Sequence, residues 1–296
     1  MPYIAYGEHA ERDIPLYKAT LWKIAKADEI LRDFSARGYT LTLRQLYYQF
    51  VAKGLIPNNT REYDKLGTAI NTGRLAGMLN WYHLEDRTRN LVGYATYESP
   101  GEFIKSIRHH YAIDWWKDQD THVEVWVEKE ALASVIGRAA NKHRVDYFAC
   151  RGYPSQSEMW RASQRMASYY DDGKECHIIH LGDHDPSGID MTGDIERRFE
   201  MFGECIVKVH RIALNMDQVN QYGPPPNPAK LSDTRAPEYI SIYGRESWEL
   251  DALDPEVIEA LIEDRIASLI TDHNAMEQRQ QQEEDEDRLL EQLSER

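Results

Sequence analysis

Apolar positions recur at helical spacing from Ala19 to Arg37, where Leu21, Ile24, Ala25, Ile30 and Phe34 mark one face before Gly38 ends the pattern. A second helix is predicted over Leu43–Lys53, with Leu43, Leu46, Tyr47 and Phe50 at i, i+3, i+4 and i+7. Thr42-Leu43-Arg44-Gln45 has the form of a capping box, and Leu41 and Leu46 are spaced as the hydrophobic staple around it. Gly54 and Pro57 close this helix. Asn58-Asn59-Thr60 then makes a polar turn into a third predicted helix, Arg61–Leu79, and short strand-like pieces follow from Trp81 to Tyr97. Three helices and a β appendage of this size predict an N-terminal helix-turn-helix of the winged type.

Past Pro100-Gly101, which opens a linking helix through Ile113, the pattern changes period. Strand-like runs at Val123–Glu128, Asp146–Cys150, Cys176–Asp183 and Cys205–Ala213 alternate with helical ones at Glu130–Asn141, Ser155–Tyr170 and Gly188–Phe202. Such alternation predicts an α/β segment with a parallel sheet covered on both faces. Tyr222–Lys230, YGPPPNPAK, is too proline-rich for a helix or a central strand and reads as an extended connection. Ile240–Asp251 and Pro255–Asp272 resume structure, and Gln278–Arg296 reads as a solvated helix or frayed tail.

With 296 residues, 42% of them hydrophobic, the chain has room for two domains with a sizeable core. Its first residues lack the basic and apolar regions of a secretory signal, and no apolar run approaches a membrane span. Cys150, Cys176 and Cys205 are far apart and read as buried reduced thiols, so a cytoplasmic protein is expected. The net charge of -15 at first argues against nucleic acid. Its distribution changes that picture: Met1–Asp120 carries 16 Lys and Arg against 15 Asp and Glu, while Glu246–Arg296 carries 4 against 17. A near-neutral N-terminal part permits a local DNA-binding face. Arg61, Lys65 and Arg74 on the third helix, with Arg87 and Arg89 in the wing, are the expected contacts; solvated surface charge is the alternative.

Candidate chemistry concentrates in His177–Asp190, HIIHLGDHDPSGID. Ile178, Ile179 and Leu181 make a buried strand, and Asp183 falls at its carboxyl end, where open α/β sheets bind ligands. Asp183 and Asp185 at this spacing suit a hard cation such as Mg²⁺, although Asp-Pro-Ser-Gly is equally ordinary turn chemistry. Glu128 ends the first strand of the sheet, so Glu128, Asp183 and Asp185 form the expected acidic metal set. On the Leu43–Lys53 helix, Tyr47 belongs to the core stripe. Tyr48 is rotated away from it and shares a face with Arg44 at i, i+4, so an exposed phenol beside a guanidinium is expected. That pair fits a nucleophile whose phenolate and target phosphate are favoured by the cation, or an ordinary surface tyrosine.

Taken together these motifs resemble the family of the topoisomerase VI A subunit and its relative, the meiotic double-strand-break transesterase. Arg44, Tyr47 and Tyr48 match an Arg-x-x-[Tyr/Phe]-Tyr motif. Val127-Glu128-Lys129 matches a Toprim first strand, and Arg151-Gly152-Tyr153-Pro154 a Gly-[Phe/Tyr]-Pro turn. Asp183-His184-Asp185-Pro186-Ser187-Gly188 matches Asp-x-Asp-Pro-x-Gly, and Glu249-Leu250-Asp251-Ala252-Leu253 is similar to a further run of the family. The resemblance covers Leu41 to Leu253. It implies a winged-helix and tyrosine domain over 1–99 and a linking helix over 100–120. A Toprim-type domain with a C-terminal helical extension follows over 121–277, and an acidic tail over 278–296. It implies that Tyr48 attacks double-stranded DNA to leave a 5′-phosphotyrosyl bond, that Mg²⁺ sits on Glu128, Asp183 and Asp185, and that Arg44 clamps the phosphate. It also implies a homodimer in which one protomer's tyrosine meets the other's acids. No Gly-x-x-x-x-Gly-Lys-[Ser/Thr] run is present, so ATP-driven strand passage would need a separate B-type ATPase subunit. The region before the winged helix, where that partner usually binds, is short, which fits a compact stand-alone A-like protein. Two other readings remain open at this point: a Toprim nuclease acting through metal-bound water, and a non-catalytic DNA-binding relative.

Overall fold

Side-chain caps set where the first helices begin. In the computed structural model, which describes residues 3–11, 15–85 and 96–295, a single turn α1 (Glu8–Glu11) precedes α2 (Lys18–Ala36), α3 (Leu43–Ala52) and α4 (Thr60–Leu75). At α3 both halves of the predicted capping box form. The Thr42 hydroxyl accepts from Gln45 N–H at 3.3 Å, and the Gln45 side chain accepts from Thr42 N–H at 2.8 Å. Asn59 caps α4 by accepting from Glu62 N–H at 3.0 Å. The apolar stripes of α2, α3 and α4 close on one core around Ile24, Phe34, Leu46, Phe50, Leu66 and Ile70. Each such side chain stabilises the fold by about 1.5–3 kcal/mol when fully buried. Trp81–His83 form a 3₁₀ turn rather than a strand, and Leu84 makes an isolated bridge to Leu41. Arg87 and Arg89, with the rest of 86–95, lie outside the described residues.

The chain continues through α5 (Pro100–Ile107), β1 (Thr121–Val127), α6 (Ala133–Lys142), β2 (Asp146–Ala149), α7 (Gln156–Asp171), β3 (Glu175–Leu181), α8 (Pro186–Phe202) and β4 (Val207–Ala213). Next come α9 (Met216–Tyr222), β5 (Asn227–Pro228), α10 (Ala236–Tyr243), β6 (Glu246–Ser247), α11 (Pro255–Ala267) and α12 (His273–Ser294). β1–β4 form the expected α/β core, a parallel sheet in the order β2-β1-β3-β4. β1 is buried along its whole length, so both faces of the sheet are covered. On one face Trp126 and Ile178 pack with Met159 and Met166 of α7 and Met191 and Ile195 of α8. The order reverses between β1 and β3, which makes their carboxyl ends the topological switch point.

Contacts divide the chain into two compact units that interleave in sequence. The first comprises Met1–Arg89, Asp183–Gly188 and Leu214–Pro255; the second comprises Asn90–Gly182, Ile189–Ala213 and Glu256–Arg296. Residues 183–188 and 214–255, counted with the α/β domain in the sequence reading, thus cluster with the N-terminal helices. The proline-rich connection is ordered: Asn227–Pro228 pairs antiparallel with Glu246–Ser247. Of the two readings of the acidic C-terminus, a solvated helix or a frayed tail, the helix is the one found. It is α12, capped by Asp272 and docked within the second unit. Arg108 grips Asp287 through two hydrogen bonds of 2.6 Å, and Glu283 accepts from the Trp115 indole at 2.9 Å. Glu283 and Asp287 fall on the helical face that meets a cation and an indole donor, while Glu284 and Asp285 stay exposed, which composition does not reveal. Among the described residues no helix is long and apolar enough to cross a membrane.

Candidate functional site

The core stripe of α3 fixes where its polar residues go. Leu46, Tyr47 and Phe50 are buried in the helical core, which turns Arg44 and Tyr48 together onto a neighbouring face. Both line a cavity of about 470 Å³ in the first unit. The Arg44 guanidinium carbon lies 5.8 Å from the centre of the Tyr48 ring. The expected exposure of Tyr48 is corrected: it is only 5% exposed, because the Leu250–Ala252 turn packs against α3. Tyr47 donates its hydroxyl to Asn58 Oδ1 at 2.9 Å and to the Asn59 carbonyl at 3.2 Å. Burial raises the pKa of the Tyr47 phenol above the usual tyrosine value, against the Asn59 hydrogen bond, which lowers it.

A short antiparallel bridge supplies the acids. His184 N–H donates to the Trp248 carbonyl at 2.8 Å and Trp248 N–H returns to His184 at 2.9 Å, which sets Asp183 beside the 249–251 turn. Asp183 Oδ1 accepts from Leu250 N–H at 2.8 Å. Asp183, Glu249 and Asp251 each place a carboxylate oxygen within 4.8 Å of the others. Arg44 answers this charge, with Nη2 2.8 Å from Glu249 and Nε 2.9 Å from the fully buried Asp251 carboxylate. Burial acts to lower the Arg44 pKa, but Asp251 and Glu249 together raise it above the usual arginine value, so the guanidinium stays charged.

Of the expected metal set, Asp183 joins this group, whereas Glu128 and Asp185 are not among its three members. Asp185 lines the cavity, but its Oδ1 caps α8, accepting from Ser187 Oγ at 2.9 Å and Gly188 N–H at 2.6 Å. Gly188 is required there, because a Cβ would lie 2.3 Å from the Asp183 carbonyl oxygen. Glu128 belongs to the second unit, at the switch point. There its carboxylate lies 3.1 Å from where a side chain on Gly182 would begin, with Arg211 at 3.3 Å. Glycine at 182 therefore lets those groups approach the end of β3.

The expected DNA contacts divide. Arg61 is exposed, Lys65 pairs with Glu62 at 2.6 Å, and Arg74 donates to the Trp81 carbonyl at 3.2 Å and to that of Leu84. Arg74 therefore braces the 81–84 turn, a local role that charge alone does not disclose. In the sequence Glu249 and Asp251 stand out only as part of a run similar to one of the family. The acid-x-acid spacing they share with Asp183 and Asp185 was the available signal.

Three carboxylates this close offer the hard oxygen donors that Mg²⁺, Ca²⁺ or Mn²⁺ take, so the donor set fits a divalent cation without identifying which one. Arg44 already supplies one positive charge to the same group, so a cation bound there would share with the guanidinium the work of neutralising it. No protein-family model matches the chain, and no curated protein matches it.

Proposed function

We propose that the chain is a topoisomerase VI A-like DNA transesterase, built from a winged-helix N-terminal part and a Toprim-type α/β part. The observation that carries this reading is that Tyr48 and Arg44 line the same cavity as Asp183, Asp185 and Glu249. A phenol, a guanidinium and carboxylates around one cavity are the parts that in-line attack on a phosphodiester needs. Tyr48 Oη attacks the phosphorus of a double-stranded DNA backbone, the bond from phosphorus to the 3′ oxygen breaks, and a 5′-phosphotyrosyl linkage forms. The phenol proton passes to water and the 3′ oxygen takes one up; reversal rejoins the strand. Arg44, with five N–H donors in a planar fork, orients the phosphate from its anchored position on Glu249 and Asp251. A Mg²⁺ ion held by Asp183, Glu249 and Asp251 would supply Lewis-acid stabilisation of charge on the phosphate oxygens. Two copies of the chain are needed to cut both strands, and coupling to ATP would come from a separate ATPase subunit.

The test is to mix the protein with end-labelled supercoiled DNA and Mg²⁺, quench in denaturant, and look for label on the protein. Label that disappears in Tyr48→Phe supports the reading. Cleavage without label, unchanged in Tyr48→Phe and lost in Asp183→Asn, supports a hydrolytic nuclease instead. The burial of Tyr48 is the observation that favours that second reading.

A further inference from the structure

The cavity beside Tyr48 is larger than a phosphate and a cation fill. Its volume of about 470 Å³ lies in the range of small-molecule pockets, roughly 300–1,000 Å³. Part of its wall comes from the proline-rich segment, which supplies Asn227, Pro228 and Lys230. Nothing in the transesterase chemistry uses these residues. Asn58 fixes Asn227: its amide accepts from the Tyr47 hydroxyl at 2.9 Å and donates to Asn227 Oδ1. This orients the Asn227 side chain and leaves its amide nitrogen as a donor in the wall. Among the described residues, no group accepts from that nitrogen, from the Trp248 indole N–H or from the Lys230 ammonium. All three residues line the cavity. Tyr63, held edge-on to Tyr47 at 5.2 Å, and Trp248 add aromatic surface.

Aromatic surface, amide and indole donors in the cavity wall and an exposed ammonium match one ligand class: a nucleotide, with a flat base, acceptor atoms on its edge and an anionic phosphate. We propose that this cavity receives a single unstacked nucleotide of the DNA strand next to the attacked phosphate. Asn227 and Trp248 read its base and Lys230 holds its phosphate. The proposal rests on reading the first unit as a DNA-cleaving site, and it adds what that site selects. Local opening of the duplex then becomes part of substrate choice, because taking a base out of the stack is easiest at a weakly paired step.

The test is binding of fluorescein-labelled oligothymidylate, about 15 nucleotides long, against a sugar–phosphate strand of the same length without bases. Anisotropy is read with the full chain in EDTA, so that no covalent step contributes. The expected result is tighter binding of the base-bearing strand by about tenfold. Asn227→Ala should abolish that preference while leaving the abasic strand unchanged, and Lys230→Ala should weaken both strands alike. Equal affinity for the two strands, an Asn227→Ala effect that is the same on both, or binding to neither overturns the proposal. A thermal melt of each variant separates lost binding from lost fold. If label transfers to Tyr48 while Asn227→Ala is silent, the transesterase reading survives and the nucleotide pocket falls. If Asn227 discriminates bases and no covalent product forms, the pocket survives and the transesterase reading falls.

Discussion

Each unit buries acid against arginine, and the two do so for different ends. In the second unit Glu124 on β1 is 2% exposed, and its carboxylate is fully engaged. Arg165 donates to it at 2.6 and 2.9 Å, the Trp126 indole at 2.8 Å, and His122 lies at 3.3 Å. In the first unit three carboxylates crowd within 4.8 Å of one another around a single guanidinium, at the wall of an open cavity. A charge with its hydrogen bonds satisfied on a covered sheet is structural. Charges of one sign held together beside a cavity are poised to accept a cation or act on a ligand.

The largest effect that tests this contrast is on stability. Glu124→Ala leaves Arg165 without its buried partner and should cost about 3–5 kcal/mol in denaturant unfolding. Glu249→Gln removes one of three repelling carboxylates and should change stability by less than about 1 kcal/mol. Equal losses in the two variants would erase the distinction. The next effect is in pH. Burial raises the Glu124 pKa, but His122, Arg165 and Trp126 together hold it at about 2. A folded pKa below the unfolded one means that the stabilisation is fully present above the unfolded value of about 4.3 and is lost as pH falls towards 2. Unfolding free energies measured between those limits should fall by roughly 2 kcal/mol in the natural chain, and by much less in Glu124→Gln.

Metal binding sharpens the first-unit half of the comparison. Mn²⁺ titrated by electron paramagnetic resonance should bind more weakly by at least about tenfold in Glu249→Gln and Asp251→Asn, and unchanged in Glu128→Gln. The reverse pattern would restore the set read from the sequence, Glu128 with Asp183 and Asp185. The smallest effect concerns the wall. Tyr47→Phe removes the hydroxyl that holds Asn58 and should cost about 1 kcal/mol in thermal unfolding. No change would mean that the Asn58–Asn227 link is held without it.

What could be read from the chain followed from how local each signal was. The capping box at Thr42, the stripe of α3 and the alternation that makes the parallel sheet depend on neighbours within a few residues, and all appear in the structure. The burial of Tyr48 was not legible, because the turn that covers it comes from residues 250–252. Distance in sequence also hid the partners of Asp183, since Glu249 and Asp251 come from a turn some 67 residues on, set beside it by the bridge between His184 and Trp248 and the Leu250 N–H hydrogen bond. The helix at the acidic C-terminus was one of the two readings, but its docking was not legible, because composition records charge and not the face it occupies; Glu283 and Asp287 meet Trp115 and Arg108 from one side of α12. Asp185 carried two legible meanings, metal ligand or ordinary turn residue, and its hydrogen bonds to Ser187 and Gly188 are local ones at the start of α8.

The central claim is that Tyr48 is a nucleophile and not a packing residue. It is tested most directly by digesting the denaturant-quenched mixture of protein, DNA and Mg²⁺ with nuclease and protease, then locating any nucleotide by mass spectrometry. The account predicts a phosphonucleotide on the tyrosine of the Arg44–Tyr48 peptide, attached through the 5′ phosphate and absent from Tyr48→Phe. Cleaved DNA with that peptide unmodified, or a nucleotide on a different side chain, would contradict it.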